Sequence, residues 1–201
     1  MEILAFKLKS KNNSNIFVVE TDFGEYVFHS DVIVKYGLAK GEVDNEKFNT
    51  ARQESDELVA MSVAMKYISS NIKTEKQIKD YLYKKEFNKL VVESVVSKLK
   101  EYKVIDDKTY AESYAKSNPN FSKRKLQQKL TSFGVKNDIT EQISIEINDE
   151  QTCIVNAQKF LRNKHLDDKT KEKLIRRLIY LGYNWETIKS TLNKINIEIE
   201  E

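Results

Sequence analysis

"LIRRLIYLGYNWETI", residues 174–188, is a helical pattern that breaks at one glycine and resumes at once. Leu174, Leu178 and Leu181 share one face at helical spacing. Gly182 follows, then an aromatic residue, a polar one, and a second apolar period. A glycine just past a helix end takes the left-handed conformation that strains a side chain. Taken alone, the stretch is one helix with a glycine cap. The same break, however, occurs at two other places.

The segments "TEKQIKDYLYKKEFNKLVVESVVSKL" from Thr74, "SKRKLQQKLTSFGVKNDITEQISIEI" from Ser122 and "TKEKLIRRLIYLGYNWETIKSTLNKI" from Thr170 align at shifts of 48 residues, with no gap over 26. Thr74, Ser122 and Thr170 carry hydroxyls suited to a helix N-cap. Ile78, Leu126 and Leu174 match, as do Leu82, Leu130 and Leu178. So do Phe87, Val135 and Tyr183, and Leu99, Ile147 and Ile195. This is an internal triplication at a fixed period. Each unit is helix, tight break, helix. Gly134 and Gly182 supply the break in two units, and Glu86 stands there in the first. Either that position is strained, at a cost on the order of 1 kcal/mol, or the first turn differs.

Each unit also has a preceding amphipathic helix. In the first it carries the stripe Leu58, Met61, Met65 and Ile68, expected in the core. In the second, Asp106 or Asp107 caps a helix whose Tyr110 and Tyr114 face inward. In the third, Ile154, Ala157, Phe160 and Leu161 face inward. The segments 118–121 and 163–168 are the expected loops, with Asn118-Pro119-Asn120 the clearest breaker. Before the repeats, residues 2–29 alternate in Val, Ile, Phe and Tyr, which predicts about three strands with a turn at Asp22-Phe23-Gly24. A short helix follows, capped by Ser30 or Asp31 and ended by Gly37.

The expected fold is mainly α: three tandem three-helix repeats of period about 48, in an elongated, curved array, behind a small N-terminal β segment. The expected division is a β-rich domain at 1–48, repeats at 54–105, 106–148 and 149–196, and an acidic tail at 197–201.

Charge is uneven along the chain. Residues 1–56 are net −3, residues 57–196 net +9, and the last five net −3. A basic body between acidic ends suits a polyanion or an acidic protein face. No run approaches the ~18 apolar residues of a membrane span, and the first residues lack a signal-peptide pattern. Cys153 is the only cysteine, so no internal disulfide forms. These features point to the cytoplasm.

The repeated motif is a hydroxyl cap, an apolar residue, a leucine four residues on, glycine-apolar, and a second helix. In the first unit "LKEYKVIDDKTYAESYAKS", residues 99–117, follows it. This combination resembles the RecX family, the bacterial modulators of the recombinase RecA. "IDDKTYAESY", residues 105–114, is its most specific part, and the resemblance covers about residues 58–196. The β segment looks like the extra domain ahead of the repeats in Gram-positive members. Glu86 departs from the family's glycine at the first break.

The resemblance implies a non-enzymatic regulator in DNA repair, homologous recombination and the SOS response. Such a protein binds RecA and its filaments on single-stranded DNA. It suppresses ATP hydrolysis, strand exchange and co-protease activity. It needs no cofactor and carries no catalytic residues. A monomer with no membrane association is expected, and direct binding of single- or double-stranded DNA is the alternative.

The residues agree that catalysis is absent. His29 and His165 have no neighbour at metal-ligand spacing, and neither a Walker A loop nor Gly-x-Gly-x-x-Gly occurs. Asp106-Asp107 and Asp167-Asp168 are simply helix caps and first-turn acids. Cys153 has a packing role, and Trp185 is expected in the core.

The basic residues are the candidate site. "SKRKLQQKLTSF" has four basic residues and no acidic ones, while "KNDITEQISIEINDE" has one basic and five acidic. At ~100° per residue, Lys125 and Lys129 fall on one flank beside the Leu126 stripe. Lys173 and Arg177 take that flank in the third unit, with Arg124 and Arg176 further round. Arg124, Lys125, Lys129, Lys173, Arg176 and Arg177 are therefore the expected RecA- or DNA-binding strip.

Overall fold

The fold is taken from a computed structural model, which describes residues 1–10 and 13–196. The predicted acidic tail lies outside the described residues. The chain separates into two compact units, one spanning Met1–Ile105 and the other starting at Asp106.

The first unit opens with strands β1 (Glu2–Ser10), β2 (Asn13–Thr21) and β3 (Gly24–His29). They form an antiparallel sheet, to which the two-residue β4 (Gly41–Glu42) adds an edge in the order β3-β2-β1-β4. The three alternating runs are the predicted strands; β4 is too short to leave a periodic signal. Helix α1 (Ser30–Lys35) follows β3 directly. Its cap is His29, whose Nδ1 accepts the Asp31 N–H at 3.3 Å, and not Ser30 or Asp31. The strand runs straight into the helix, so the last strand residue is the one left outside the turn with an acceptor to offer.

One helix, α2 (Asn45–Ile68), serves two cores. Its first half lies on the sheet, where the Phe48 ring meets Tyr26 at 5.3 Å and Phe28 at 5.2 Å. Ser55 is buried there and its hydroxyl accepts the His29 N–H at 2.7 Å. Its second half packs with α3 (Glu75–Lys84) and α4 (Lys89–Glu101), burying Ala60 and Ala64 against Ile78, Leu82, Val92 and Val95. The predicted apolar stripe is displaced here. Leu58 and Met65 are exposed, while Met61 and Ile68 pack at the edge of the core. Helices approach closely where side chains are small, so the alanines take the contact and the methionines its rim.

The second unit holds two three-helix repeats: α5 (Asp107–Ser117), α6 (Lys123–Ser132) and α7 (Asn137–Ser144), then α8 (Asp149–Leu161), α9 (Asp168–Tyr180) and α10 (Trp185–Lys194). The matched apolar positions are the cores. Leu126 and Leu130 are buried with Ala111 and Val135, and Leu174 and Leu178 with Ala157, Tyr183 and Ile188. Cys153 is fully buried in the latter core, where burial raises its thiol pKa. Tyr110 and Tyr114 face inward as predicted, meeting Phe133 edge-on at 5.9 and 5.3 Å.

The hydroxyl caps hold in two repeats and change in one. Thr74 accepts the Gln77 N–H and forms a capping box, and Ser122 accepts the Lys125 N–H. In the third repeat the cap is Asp167, not Thr170. Its carboxylate accepts the Thr170 N–H at 2.8 Å, and the helix gains a turn at its start. Asp outcompetes Thr as a cap, and a negative charge at a helix N-terminus adds to that advantage.

All three breaks share one backbone conformation. Glu86 has φ 65°, Gly134 φ 90° and Gly182 φ 94°. Of the two alternatives at Glu86, the turn is kept and the residue takes the strained left-handed backbone.

Candidate interaction surface

Among the described residues, four of the six predicted basic side chains have no internal partner. Arg124 and Lys129 project from α6 and Lys173 and Arg177 from α9, all exposed. Among the described residues none of these four makes an ion pair. Arg176 is exposed and pairs with Glu172 one turn earlier, at 3.0 Å. Such exposed pairs contribute little.

Lys125 differs from the rest. Its ammonium donates to the backbone oxygen of Tyr180 and lies 3.6 Å from the centre of the Tyr180 ring and 4.9 Å from that of Phe121. Tyr180 is the last residue of α9, so Lys125 supplies a cation to the C-terminal end of a neighbouring helix. This side chain is a structural clasp between the second and third repeats.

Five further hydrogen bonds complete that joint. The Ser122 N–H donates to the Leu181 oxygen at 2.9 Å. The Lys123 N–H donates to Asp149 Oδ1 at 2.8 Å. Behind them, the buried Asn156 amide donates to the Tyr183 hydroxyl at 2.9 Å and to the Asn120 oxygen at 3.1 Å, and the Tyr183 hydroxyl donates to the same oxygen at 3.1 Å. Burial pushes the Tyr183 phenol far above its ordinary pKa. Phe121 packs against both cores.

Gly182 sits at the closest point. A Cβ there would lie 2.5 Å from both Lys125 Cβ and Ser122 Oγ. The glycine is needed for its left-handed backbone and again for the Ser122 and Lys125 side chains packed over it at the start of α6.

The joint leaves an open groove of about 340 Å³ between α6 and the end of α9. Arg124, Lys125, Gln128, Lys129 and Ser132 line one side, and Ile179, Tyr180 and Gly182 the other. The three basic residues of α6 thus meet in one concavity. Lys173, Arg176 and Arg177 are not in its lining. On α9, however, Lys173, Arg177 and Tyr180 recur at helical spacing, so their row leads away from the groove along one face.

Ile179 and Tyr180 were not foreseen as part of this surface. Tyr180 is 71% exposed and Ile179 55%. The available signal was their place on the polar flank of α9, one turn after Arg176 and Arg177. Trp185, expected in the core, is half exposed at the first position of α10. Helix α10 buries Ile188, Thr191 and Leu192, one to two turns further along.

Other surface features offer less. An open cavity of about 620 Å³ is lined by Glu2, Asp22, Glu42 and Asp44 beside Met1 and Val43. Among the described residues no three acidic, His or Cys side chains form a metal-binding group, and no helix is long and apolar enough to cross a membrane.

Comparison with known proteins assigns the family. The family described as "RecX, first three-helix domain" matches residues 60–99, which span the end of α2 through most of α4. "Regulatory protein RecX" of Clostridium botulinum (strain Eklund 17B / Type B) is 30% identical over 208 aligned positions, covering 98% of this chain and 96% of the relative. That of Clostridium tetani (strain Massachusetts / E88) is 29% identical over 96% of this chain. Among solved structures, "Crystal structure of regulatory protein RecX" matches with a TM-score of 0.62 at 19% identity, covering 94% of this chain and 98% of that one. RecX from Lactobacillus salivarius matches with a TM-score of 0.58 at 21% identity over 70% of this chain. The two structures share the fold, and the Clostridium relatives carry the identity: this chain belongs to the RecX family of regulatory proteins.

Proposed function

We propose that the chain binds RecA and the filaments RecA forms on single-stranded DNA. It lowers their ATP hydrolysis, strand exchange and co-protease activity in recombinational repair and the SOS response, in the cytoplasm. The observation that carries this is the basic groove on α6 in a chain that matches regulatory RecX proteins over nearly its whole length. The contact surface is Arg124 and Lys129 in the groove, continued by Lys173, Arg176 and Arg177 along α9. Lys125 belongs to the same strip by position and acts by holding Tyr180 in place.

Cations without internal partners give a surface that attracts phosphate or carboxylate groups and steers association. They contribute mainly where the partner supplies the missing anion. Titration into RecA turning over ATP on single-stranded DNA tests the proposal. Inhibition is expected well below one molecule per RecA. A variant with Lys129, Lys173 and Arg177 each changed to Glu keeps the joint intact. It requires roughly 10- to 100-fold more protein for equal inhibition, at roughly 0.5–1 kcal/mol for each of three lost surface contacts. Equal potency of variant and parent would remove the strip from the interface.

The second reading is direct, non-specific DNA binding. The exposed Tyr180 and Ile179 beside free cations favour it, since aromatic faces between basic groups hold single strands. It requires binding to bare DNA as tight as to the filament, with a steep salt dependence.

A further inference from the structure

The sheet of the first unit has two edges of different kinds. β3 forms one, and on the other side of β1 the short β4 pairs only with Glu2 and Ile3. From residue 4 to residue 10, β1 has no strand on that side among the described residues. In an antiparallel sheet every second residue of such a stretch turns its N–H and C=O outward, which makes a template for one more strand.

Cross-strand partners fix what each face of this edge presents. Phe6 stands opposite Val19 and Leu8 opposite Phe17. These in turn stand opposite Tyr26 and Phe28, whose rings rest on Phe48 of α2. Phe6 and Leu8 therefore belong to the apolar face, at its outer margin. Leu8 is 46% exposed, and Leu4, at the bulge, 50%. Lys7 stands opposite Val18 on the other face. Lys9, two residues on, shares that face by the period of a strand. The Lys7 ammonium pairs with Glu20 on β2, whereas Lys9 is exposed and has no ion partner among the described residues. Residues 4–10 hold two lysines and no acidic residue. The β3 edge is the reverse, with Glu25 and neither Lys nor Arg.

We propose that the open edge of β1 is a docking site for an extended segment of a partner protein in which acidic and apolar residues alternate. Backbone pairing along the edge supplies affinity, and the alternating side chains supply selection. The apolar residues of the arriving strand cover Phe6 and Leu8 on one face. Its carboxylates meet Lys7 and Lys9 on the other, where opposite charges on adjoining strands attract. The same lysines disfavour a second copy of β1, which would bring lysines close to lysines; lysine on an edge strand is a common guard against pairing of like with like. Glu25 repels an acidic strand from the β3 edge, so charge directs the segment to β1. The site lies wholly within the first unit, and its test is independent of the groove on α6.

The full chain is titrated with two capped, fluorescent peptides, one alternating Glu with Val and the other Lys with Val, and binding is read by anisotropy. The Glu-Val peptide is expected to bind about tenfold more tightly than the Lys-Val peptide. Hydrogen exchange on the complex locates it: amides within residues 4–10 slow, and those of β3 are unchanged. Lys9→Glu removes or reverses the preference between the peptides while the circular dichroism stays that of the parent. If that change disturbs the sheet, Lys9→Gln takes its place and weakens the Glu-Val peptide by about threefold. Binding of neither peptide, or of both equally, would overturn the proposal. So would a folded Lys9 variant with the parent's preference and affinity. Protection confined to the second unit would also overturn it, because the basic groove and not the sheet edge would then hold the acidic peptide.

Discussion

The breaks at Glu86 and Gly182 share a backbone conformation and differ in everything around it. Glu86 is exposed, and its unit is clipped between helices by ion pairs: Lys79 to Glu93 at 2.9 Å, Lys98 to Glu57 at 2.6 Å and Lys100 to Glu75 at 2.8 Å. Gly182 lies under α6, held by backbone hydrogen bonds, a lysine on an aromatic ring and a buried Asn-Tyr pair. The left-handed turn is thus a property of the repeat, whereas the need for glycine is a property of the joint. One substitution at each site separates the two.

Gly182→Ala carries the largest expected effect. It adds strain of about 1 kcal/mol from the positive φ and overpacking of about 1–3 kcal/mol from contacts at 2.5 Å. Trp185 is the only tryptophan and sits three residues on, so its fluorescence follows the second unit directly. Urea unfolding read this way is expected to lose roughly 3 kcal/mol. A loss no larger than the strain term would mean that α6 yields readily and the joint is soft.

Tyr183→Phe probes the same joint from behind. It removes the hydroxyl shared by Asn156 and the Asn120 oxygen, while the Asn156 amide keeps its own bond to that oxygen. The expected loss is about 1 kcal/mol in the same measurement. No loss would place the holding energy in the packing of Phe121 and the leucines.

Glu86→Gly is expected to raise stability. Release of left-handed strain is worth about 1–2 kcal/mol, and the extra freedom of glycine in the unfolded chain returns about 0.4–1 kcal/mol of it. A net gain of roughly 0.5–1 kcal/mol follows, read by circular dichroism because the first unit has no tryptophan. A destabilised variant would assign the Glu86 side chain a holding role that its exposure does not suggest.

The triplication was legible because its signals are local. Caps, apolar residues at helical spacing and a residue past the helix end act within one turn, and the two matched apolar positions of the middle helix are buried in each repeat. What escaped depends on partners far along the chain. Lys125 looks like any surface lysine until Tyr180, 55 residues away, is brought beneath it. Hydrophobicity favoured Leu58 and Met65 on α2, but close packing selected Ala60 and Ala64. The groove was legible by half. The basic row of α6 was plain in the sequence, while Ile179 and Tyr180 were apolar residues on a flank counted as polar. His29 became a cap because strand and helix meet where only the folded chain could put them, while Asp167 took the cap that the sequence offered to both Asp167 and Thr170.

The smallest effect tests the ion-pair side of the contrast. Glu75 on α3 accepts from Lys100 on α4 and pairs with Lys79 one turn on. Its carboxyl is held below the usual value of 4.5, chiefly by the hydrogen bond from Lys100, against the opposing effect of burial. A lowered folded-state pKa stabilises fully above the unfolded value and is lost as pH falls through the folded one. The contribution is therefore complete at neutral pH, begins to fall as the pH drops to the unfolded carboxyl value, and is gone only below the folded one. Glu75→Gln removes it at every pH. The variant should be weaker than the parent by about 0.5 kcal/mol at pH 7, and the two should converge as the medium is acidified. Added salt should narrow the gap at pH 7, because the pair is partly exposed and screened. A gap that persists unchanged into acid would mean that Glu75 acts through packing of its methylene chain. The first unit would then be held, like the second, by contacts without charge.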